Sequence, residues 1–391
     1  MNKRILHKDV QDFIQENLKS DTTKLILKGS PFSDVSIQEL ATQIVSKQKC
    51  EKKLPTWFQT ENIYYPPKLN IEQTSSEITA NYKSNLVSGN SIIDITGGLG
   101  VDCFSFSKQF QHVTHCEINE ELSKIALHNF QKLSADNIRT VKGSGLEYLK
   151  HTSDTFDCIY IDPSRRNDIK GKVFLLEDCE PNVPEHIDFL FQKSKTILIK
   201  TSPILDLSSV LNELNFVKEI HIVAVQNEVK ELLFLLEKSY VGDISLKTIN
   251  FLKGHQQEFE FTFPSNKQSQ YGLPQKFLYE PNSAILKSGG FHEITHQLNV
   301  QKLHQHSHLY TSQELIKFPG RVFEILDVLP FDKKHIKKRV QNRKANITTR
   351  NFPKTVQQIR KELKIKDGGN DYIFFTTNLD NQLISIFCKK A

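Results

Sequence analysis

Along residues 1 to about 88, apolar positions recur at helical spacing within polar surroundings, as in "DVQDFIQENL" and "SIQELATQIVSKQK". The pattern predicts a mostly helical leader. From Ser91 the rhythm changes: short β-rich runs ("SIIDI", "HVTHCEI", "IRTVKG", "FDCIYID", "TILIKT") alternate with helical stretches. Such alternation predicts a parallel sheet with crossover helices. The next runs, "EIHIVAVQ" and "ELLFLLEK", lie too close together for a crossover, so they are expected to pair as an antiparallel hairpin. "ISLKTINF" and "QEFEFTF" add two strand-like runs before the polar break "PSNKQSQYG". The tail from Arg321 reads strand, basic helix, helix and two strands. The expected division is a helical region 1–88, an α/β domain 89–270, a region 271–320 and a small basic α+β module 321–391.

A chain of 391 residues has room for several such modules. With 38% hydrophobic and 25% charged residues it is neither disordered in bulk nor embedded in a membrane. Its apolar runs fall short of the roughly 20 residues a spanning helix needs. The start "MNKRILHKDVQDFIQENLKS" reads as an amphipathic helix rather than a signal peptide, which makes a cytoplasmic setting the expectation. The six cysteines are scattered without a C-x-x-C pair and are expected to be reduced core thiols, with no disulfide framework and no structural metal.

"SIIDITGGLGVD" runs a predicted strand into three glycines within four positions. A P-loop needs Lys-Ser or Lys-Thr after its last glycine, and neither follows Gly100. A dinucleotide fingerprint needs a third small residue where Cys103 stands, and a bulkier side chain there crowds helix against sheet. What fits is an acid at the strand end, Asp94, a turn Thr96-Gly97-Gly98-Leu99-Gly100, and a second acid, Glu117, about 20 residues on. S-adenosylmethionine (SAM) carries an ammonium, a sulfonium and a ribose diol but no phosphate, so carboxylates suit it. Glu117 would accept both ribose hydroxyls and Asp94 would orient the methionine end, while the glycines let the backbone approach. Ile118, next to Glu117, joins this candidate set. The loop alone also fits a purely structural strand-to-helix turn.

"FDCIYIDPSRRND" places Asp162-Pro163 at the end of the fourth strand, where open α/β sheets keep their reactive groups. Asp162 is the candidate acceptor or base. Amino-methyltransferases carry a stacking aromatic after this motif, whereas here Ser164, Arg165 and Arg166 follow. A guanidinium can stack on a base or grip phosphate, which makes Arg165 the candidate substrate clamp. Lys200-Thr201-Ser202-Pro203 ends the fifth strand on the same rim. Five alternating units closed by a hairpin match the strand count of a class I methyltransferase sheet.

Between residues 332 and 366 the tail carries Lys333, Lys337, Lys338, Arg343 and Arg350 among many cations, against only Asp332 and Glu362. Such a stripe suits a phosphate backbone, although a charge run is also how a solvated helix face looks. "FHEITH" matches H-E-x-x-H at His292, Glu293 and His296, but it opens straight after Ser288-Gly289-Gly290, so a zinc site is not expected.

With these residues in place, the chain resembles the bacterial class I SAM-dependent methyltransferases that carry a THUMP-like domain at the C terminus. The similarity runs through "EQTSSEITANYK", "DPSRR", "LYEPNSAILKSGG", "KLHQHSHLYTS" and "ITTRNFP". It implies a Rossmann-like sheet with an antiparallel terminal hairpin, a ferredoxin-like region over 271–320 and a THUMP-like module over 321–391. It also implies that Gln73 and Thr74 approach the cofactor, and that RNA, tRNA or rRNA, is the substrate class. One departure is Ser144, which stands at the end of the third strand where an acid commonly meets the adenine amino group. Two rival expectations are an RNA-binding protein of this fold without catalysis and a methyltransferase of a small molecule.

Overall fold

The computed structural model describes residues 1–165, 175–340 and 342–391, and of Arg165 the backbone alone. The chain forms two compact units, one of residues 1–217 with 233–241, the other of 218–232 with 242–391.

In the first unit, five parallel strands lie in the order β7–β4–β1–β2–β3: β1 (Ser91–Asp94), β2 (His112–Glu117), β3 (Ile138–Lys142), β4 (Phe156–Ile161) and β7 (Ser194–Thr201). Two-residue strands β5 (Ser164–Arg165) and β6 (Cys179–Glu180) form a separate antiparallel pair. The central strands are buried on both faces, which is why they read as continuous apolar runs: Ile92-Ile93, Ile159-Tyr160-Ile161 and Ile197-Leu198-Ile199 are all buried. Because these strands are parallel, their carboxyl ends share one rim, carrying Asp94, Glu117, Asp162 and Thr201.

The N-terminal helices belong to this unit. Helix Ile37–Lys53 starts at a capping box of Ser36 and Glu39, and helix Glu77–Ser84 at one of Ser76 and Thr79. Helix Glu77–Ser84 packs on helix Val101–Phe106, which follows the glycine turn. The leader is thereby part of the same compact unit as the parallel strands and not a separate arm.

Strands β8 (Val217–Val225) and β9 (Glu228–Glu237) form the expected hairpin. Their two-residue connection, Gln226-Asn227, has φ of 51° and 62°, the positive pair that matches strand twist in a tight hairpin. Residues 233–237 of β9 lie beside β7 in the first unit. In the second unit the order is β11–β10–β8–β9, with β10 (Ile244–Leu252) parallel to β8 and antiparallel to β11 (His255–Phe263).

A second sheet of seven strands follows: β12 (Phe277–Pro281), β13 (Gln301–Lys302), β14 (Tyr310–Ser312), β15 (Gly320–Pro330), β16 (Asn346–Arg350), β17 (Asp371–Thr377) and β18 (Leu383–Lys390). Its order is β13–β14–β12–β15–β18–β17–β16. Helices Lys333–Val340 and Val356–Leu363 bury Ile336, Val340, Ile359 and Leu363 against Ile373, Phe375 and Phe387. No described helix is long and apolar enough to cross a membrane.

Candidate active site

The glycine turn is held by its backbone amides, which bond within the turn and to β2. Gly97 N donates to the Cys116 carbonyl at 2.7 Å, and Gly100 N to the Gly97 carbonyl at 2.9 Å. A Cβ at Gly97 would strike the buried His115 ring, and one at Gly100, where φ is +86°, would strike Phe130. Protein packing therefore demands these two glycines. Gly98 differs: its φ is +54° and a Cβ there would meet nothing closer than 3.9 Å, so this is the position left open above the backbone. His115 lies with Nε2 3.1 Å from the Gly98 carbonyl, and burial pushes its pKa down to about 4.

Glu117 ties the second strand to this turn. Its Oε2 accepts from Gly98 N at 2.8 Å and its Oε1 from Asn119 N at 2.7 Å. A carboxylate has about four acceptor positions, so the two bonds fix the group and leave room for a diol. Ile118 beside it is 76% exposed, an apolar surface with no protein cover.

Asp94 is buried at the tip of β1, where Thr96 N and Thr96 Oγ1 lie 2.9 and 3.1 Å from its Oδ1 and Cys103 Sγ 3.4 Å from its Oδ2. Burial raises its pKa to about 7; the Thr96 amide offsets part of this, and the charges of Asp102 and Asp162 add to it. Thr96 also joins two strands, since its hydroxyl accepts from Asp162 N at 2.7 Å. The Asp162 carboxylate in turn receives the Lys200 ammonium from the end of β7.

One cluster here has no counterpart in the motif reading. Lys83, 0% exposed, places Nζ 3.2 Å from Asp102 Oδ1 and 3.0 Å from Ser75 Oγ. Asp102 Oδ2 accepts from Ser75 Oγ at 2.8 Å and from the Tyr160 hydroxyl at 2.9 Å. Burial alone would raise the Asp102 pKa, but Lys83, then Lys200, Ser75 and Tyr160, hold it below the usual carboxylate value. The stretches "SSEITANYK" and "GGLGVD" contain these residues, yet only the fold reveals that a lysine and an acid at distant positions share one buried site.

Other candidates stand as follows. Gln73 is exposed and Thr74 half-buried at the end of helix Lys68–Gln73, directly before Ser75. Ser144 caps helix Gly145–His151, its Oγ accepting from Glu147 N at 3.4 Å. Pro163 is half-buried, and Ser164 is exposed on β5, facing Glu180. The Arg165 side chain and Arg166 lie outside the described residues.

In the second unit, Lys333 and Lys338 are exposed and Lys337 half-buried on helix Lys333–Val340, while Arg343 is exposed just beyond it. Arg350 is engaged differently: its Nη2 donates to Glu280 Oε1 at 2.7 Å, and Arg321 takes the other oxygen of that buried carboxylate. The H-E-x-x-H residues turn to neighbours. His292 Nδ1 lies 2.9 Å from Ser269 Oγ, Glu293 accepts from Ser265 Oγ at 2.8 Å, and His296 Nε2 lies 2.6 Å from the Gln268 carbonyl. Among the described residues, no group of three His, Cys, Asp or Glu side chains is placed to hold a metal ion.

Parallel strands closed by a hairpin, with acids at the first two strand tips and a third at the fourth, define a class I methyltransferase. Residues 89–239 match the family model described as RNA cap guanine-N2 methyltransferase, residues 277–319 a ferredoxin-like domain and residues 320–390 a THUMP domain-like family. Over its whole length the chain is similar to the solved structure described as a "putative methyltransferase from Porphyromonas gingivalis W83", at 31% identity and a TM-score of 0.87, covering 100% of this chain and 98% of that one. The chain belongs to that family, the SAM-dependent methyltransferases with a THUMP-like C-terminal domain. An rRNA methylase from Streptococcus thermophilus also aligns, at 14% identity and a TM-score of 0.30, covering 41% of this chain and 94% of that one; so weak a likeness carries no weight. No curated protein sequence matches the chain.

Proposed function

We propose that this protein methylates a base in RNA. The observation that carries the reading is the rim on which Thr96 links Asp94 to Asp162, so that the donor side and the acceptor side share one hydroxyl.

The residues fit the donor. Gly98 is the open point of the turn, Glu117 is fixed by two amides with acceptor capacity left over, and exposed Ile118 offers an apolar face to an adenine. In this reading Asp94 takes the methionine end, Ser144 meets the adenine amino group, and Gln73 and Thr74 close the site from the N-terminal side. Bound SAM supplies an activated methyl on a sulfonium. The protein's task is alignment, dryness and somewhere for a proton to go. Asp162 accepts a hydrogen from the target amine, which directs the nitrogen lone pair away from the carboxylate and towards the donor. Lys200 positions that carboxylate. Pro163, Ser164 and Arg165 border the base, with Arg165 as its clamp. Lys333, Lys337, Lys338 and Arg343, with Arg166, are the cations that would follow the RNA backbone. Arg350 is the weakest of that set, because its guanidinium serves Glu280.

The modules in this reading are 1–88, 89–270, 271–320 and 321–391, and the setting is the cytoplasm. Mass spectrometry of nucleosides from cells lacking the chain tests it. We expect one methylated nucleoside to vanish and to return with the wild-type chain but not with Asp162→Ala. An unchanged set of methylated nucleosides overturns the RNA assignment. Strong SAM binding without transfer to RNA would point to a small-molecule substrate or to lapsed chemistry.

A further inference from the structure

Three residues, Thr74 to Ser76, join helix Lys68–Gln73 to helix Glu77–Ser84, and of the three only Ser75 is buried. Its hydroxyl gives its proton to Asp102 Oδ2 at 2.8 Å and lies 3.0 Å from Lys83 Nζ. An ammonium can only donate, so Lys83 fixes the direction of the Ser75 bond: the hydroxyl accepts from the lysine and must offer its own hydrogen to the carboxylate. Asp102 is the second residue of the helix that leaves the glycine turn, and the Tyr160 hydroxyl reaches the same Oδ2 from β4, where Tyr160 stands opposite Asp94 and two positions before Asp162. The charge of Asp102 is felt at Asp94, and that of Lys200 at Asp102. The peg that holds residues 74–76 is thus planted at the rim and not in the outlying helices.

A lysine and a carboxylate in a dry interior are a poor source of net stability, because apolar side chains of similar volume do as well or better. What they supply here is a fixed place. We infer that Lys83 and Ser75 are positioning residues for SAM: through Asp102 they pin residues 73–75 beside the glycine turn, so that the N-terminal region forms a wall of the donor site and the order of that segment sets donor affinity. The inference rests on the donor site proposed above and deepens it, since it adds residues that act on the donor through the segment they hold. A segment in place for only a fraction of the time lowers the apparent affinity by that fraction. Loss of a hydrogen bond to a charged group shifts such an equilibrium by about tenfold or more.

The test is SAM binding to the full chain by calorimetry, with Ser75→Ala as the probe and Ser46→Ala as its match. Ser75→Ala leaves Lys83, Tyr160 and Asp102 in place, so no buried charge is stranded. Ser46 is also a buried serine, its Oγ donating to the Pro66 carbonyl at 2.7 Å, but that bond lies within the N-terminal region itself. Both variants should melt earlier than the wild type, whereas only Ser75→Ala should weaken SAM, by about tenfold. Lys83→Met should weaken SAM too, and Ser75→Ala added to it should cost little more, because the peg is already lost. Hydrogen exchange in the peptide spanning residues 70–80 should quicken in Ser75→Ala and slow again at saturating SAM. Equal SAM affinity in the two serine variants, additive losses in the double variant, or a quickened exchange that SAM does not reverse overturns the inference. Glu117→Ala, measured beside them, keeps the two readings apart. Weak SAM binding by Glu117→Ala while Ser75→Ala binds like Ser46→Ala removes the positioning role alone; normal binding by Glu117→Ala with Ser75→Ala impaired removes the Glu117 assignment alone.

Discussion

Lys83 Nζ lies 3.2 Å from Asp102 Oδ1, an ion pair with the lysine fully buried, between a helix of the N-terminal region and the helix that follows the glycine turn. Ser75 and Tyr160 complete the shell of the carboxylate. Removing one partner of such a pair strands the other charge in a dry interior, which costs about 3–5 kcal/mol. Lys83→Met should lower stability by that order in urea unfolding. The double variant K83M/D102N should recover much of the loss, because it no longer leaves a lone charge. If the two changes were simply additive, the pair would not be the unit that holds these helices together.

The proton on Asp94 gives a pH signature. Its folded pKa of about 7 lies above the usual carboxylate value, so between pH 4 and 7 the native state binds the extra proton. The contribution of this group to stability is therefore full at low pH and is lost as pH rises through 7. Asp94→Asn removes the titration, so the variant should gain on the wild type from pH 4 to about 7 in thermal melts and level off above that. A cationic donor favours the ionised form, so wild-type SAM affinity should rise with pH up to about 7 and release a proton below it. Calorimetry in two buffers of different ionisation enthalpy reads that proton. A pH-independent affinity would place the cation elsewhere.

Much of the first sheet was legible because parallel strands buried on both faces leave unbroken runs such as "IYI" and "ILI", and a hairpin betrays itself by the brevity of its loop. Acids at strand tips were legible for a similar reason: topology fixes where a strand ends. Sequence spacing could not separate the glycines. Gly97 and Gly100 serve His115 and Phe130, which are distant in sequence, and only Gly98 faces open space. Nor could it pair Lys83 with Asp102, or Lys200 with Asp162, since these contacts join elements whose closeness is a property of packing. Arg350 read as one more cation in a stripe until its buried partner, Glu280, came into view.

The glycines make a paired prediction. Gly100 and Gly143 both have positive φ, +86° and +132°, but an added Cβ collides with Phe130 at the first and meets nothing within 4 Å at the second. Gly143→Ala should cost only backbone strain, about 1–3 kcal/mol. Gly100→Ala should cost clearly more and weaken SAM binding, because the turn must shift to clear the ring. Equal losses in denaturant melts would mean that Phe130 yields freely.

In the proposed function Lys200 positions Asp162, and kinetics can tell this role from a structural one. Lys200→Met should lower kcat for methyl transfer about tenfold to a hundredfold by letting the carboxylate wander, with SAM affinity unchanged. Lys200→Arg should restore part of the rate, since a guanidinium can still donate to Asp162. A Lys200→Met enzyme that lost SAM binding and rate in parallel would instead assign the lysine to the donor side of the rim.

The basic tail predicts a salt dependence that can be counted. Each lysine that neutralises a phosphate releases bound counterion, so the slope of log affinity against log salt falls by about 0.7–0.9 for each contact removed. Lys338 is exposed and Lys337 half-buried on a helix whose other face is committed to the core through Ile336 and Val340. Lys337→Gln and Lys338→Gln should each flatten the slope by about one contact without altering which RNA is preferred, because phosphate contacts position and do not read sequence. Arg350→Gln should behave differently. Its loss unpairs half of the buried Glu280 carboxylate, so the effect should appear in the melting curve and not in the salt slope. Fluorescence anisotropy across a salt series, beside a thermal melt of each variant, separates the two outcomes. A flat response for both lysines would leave the stripe as a solvated helix face.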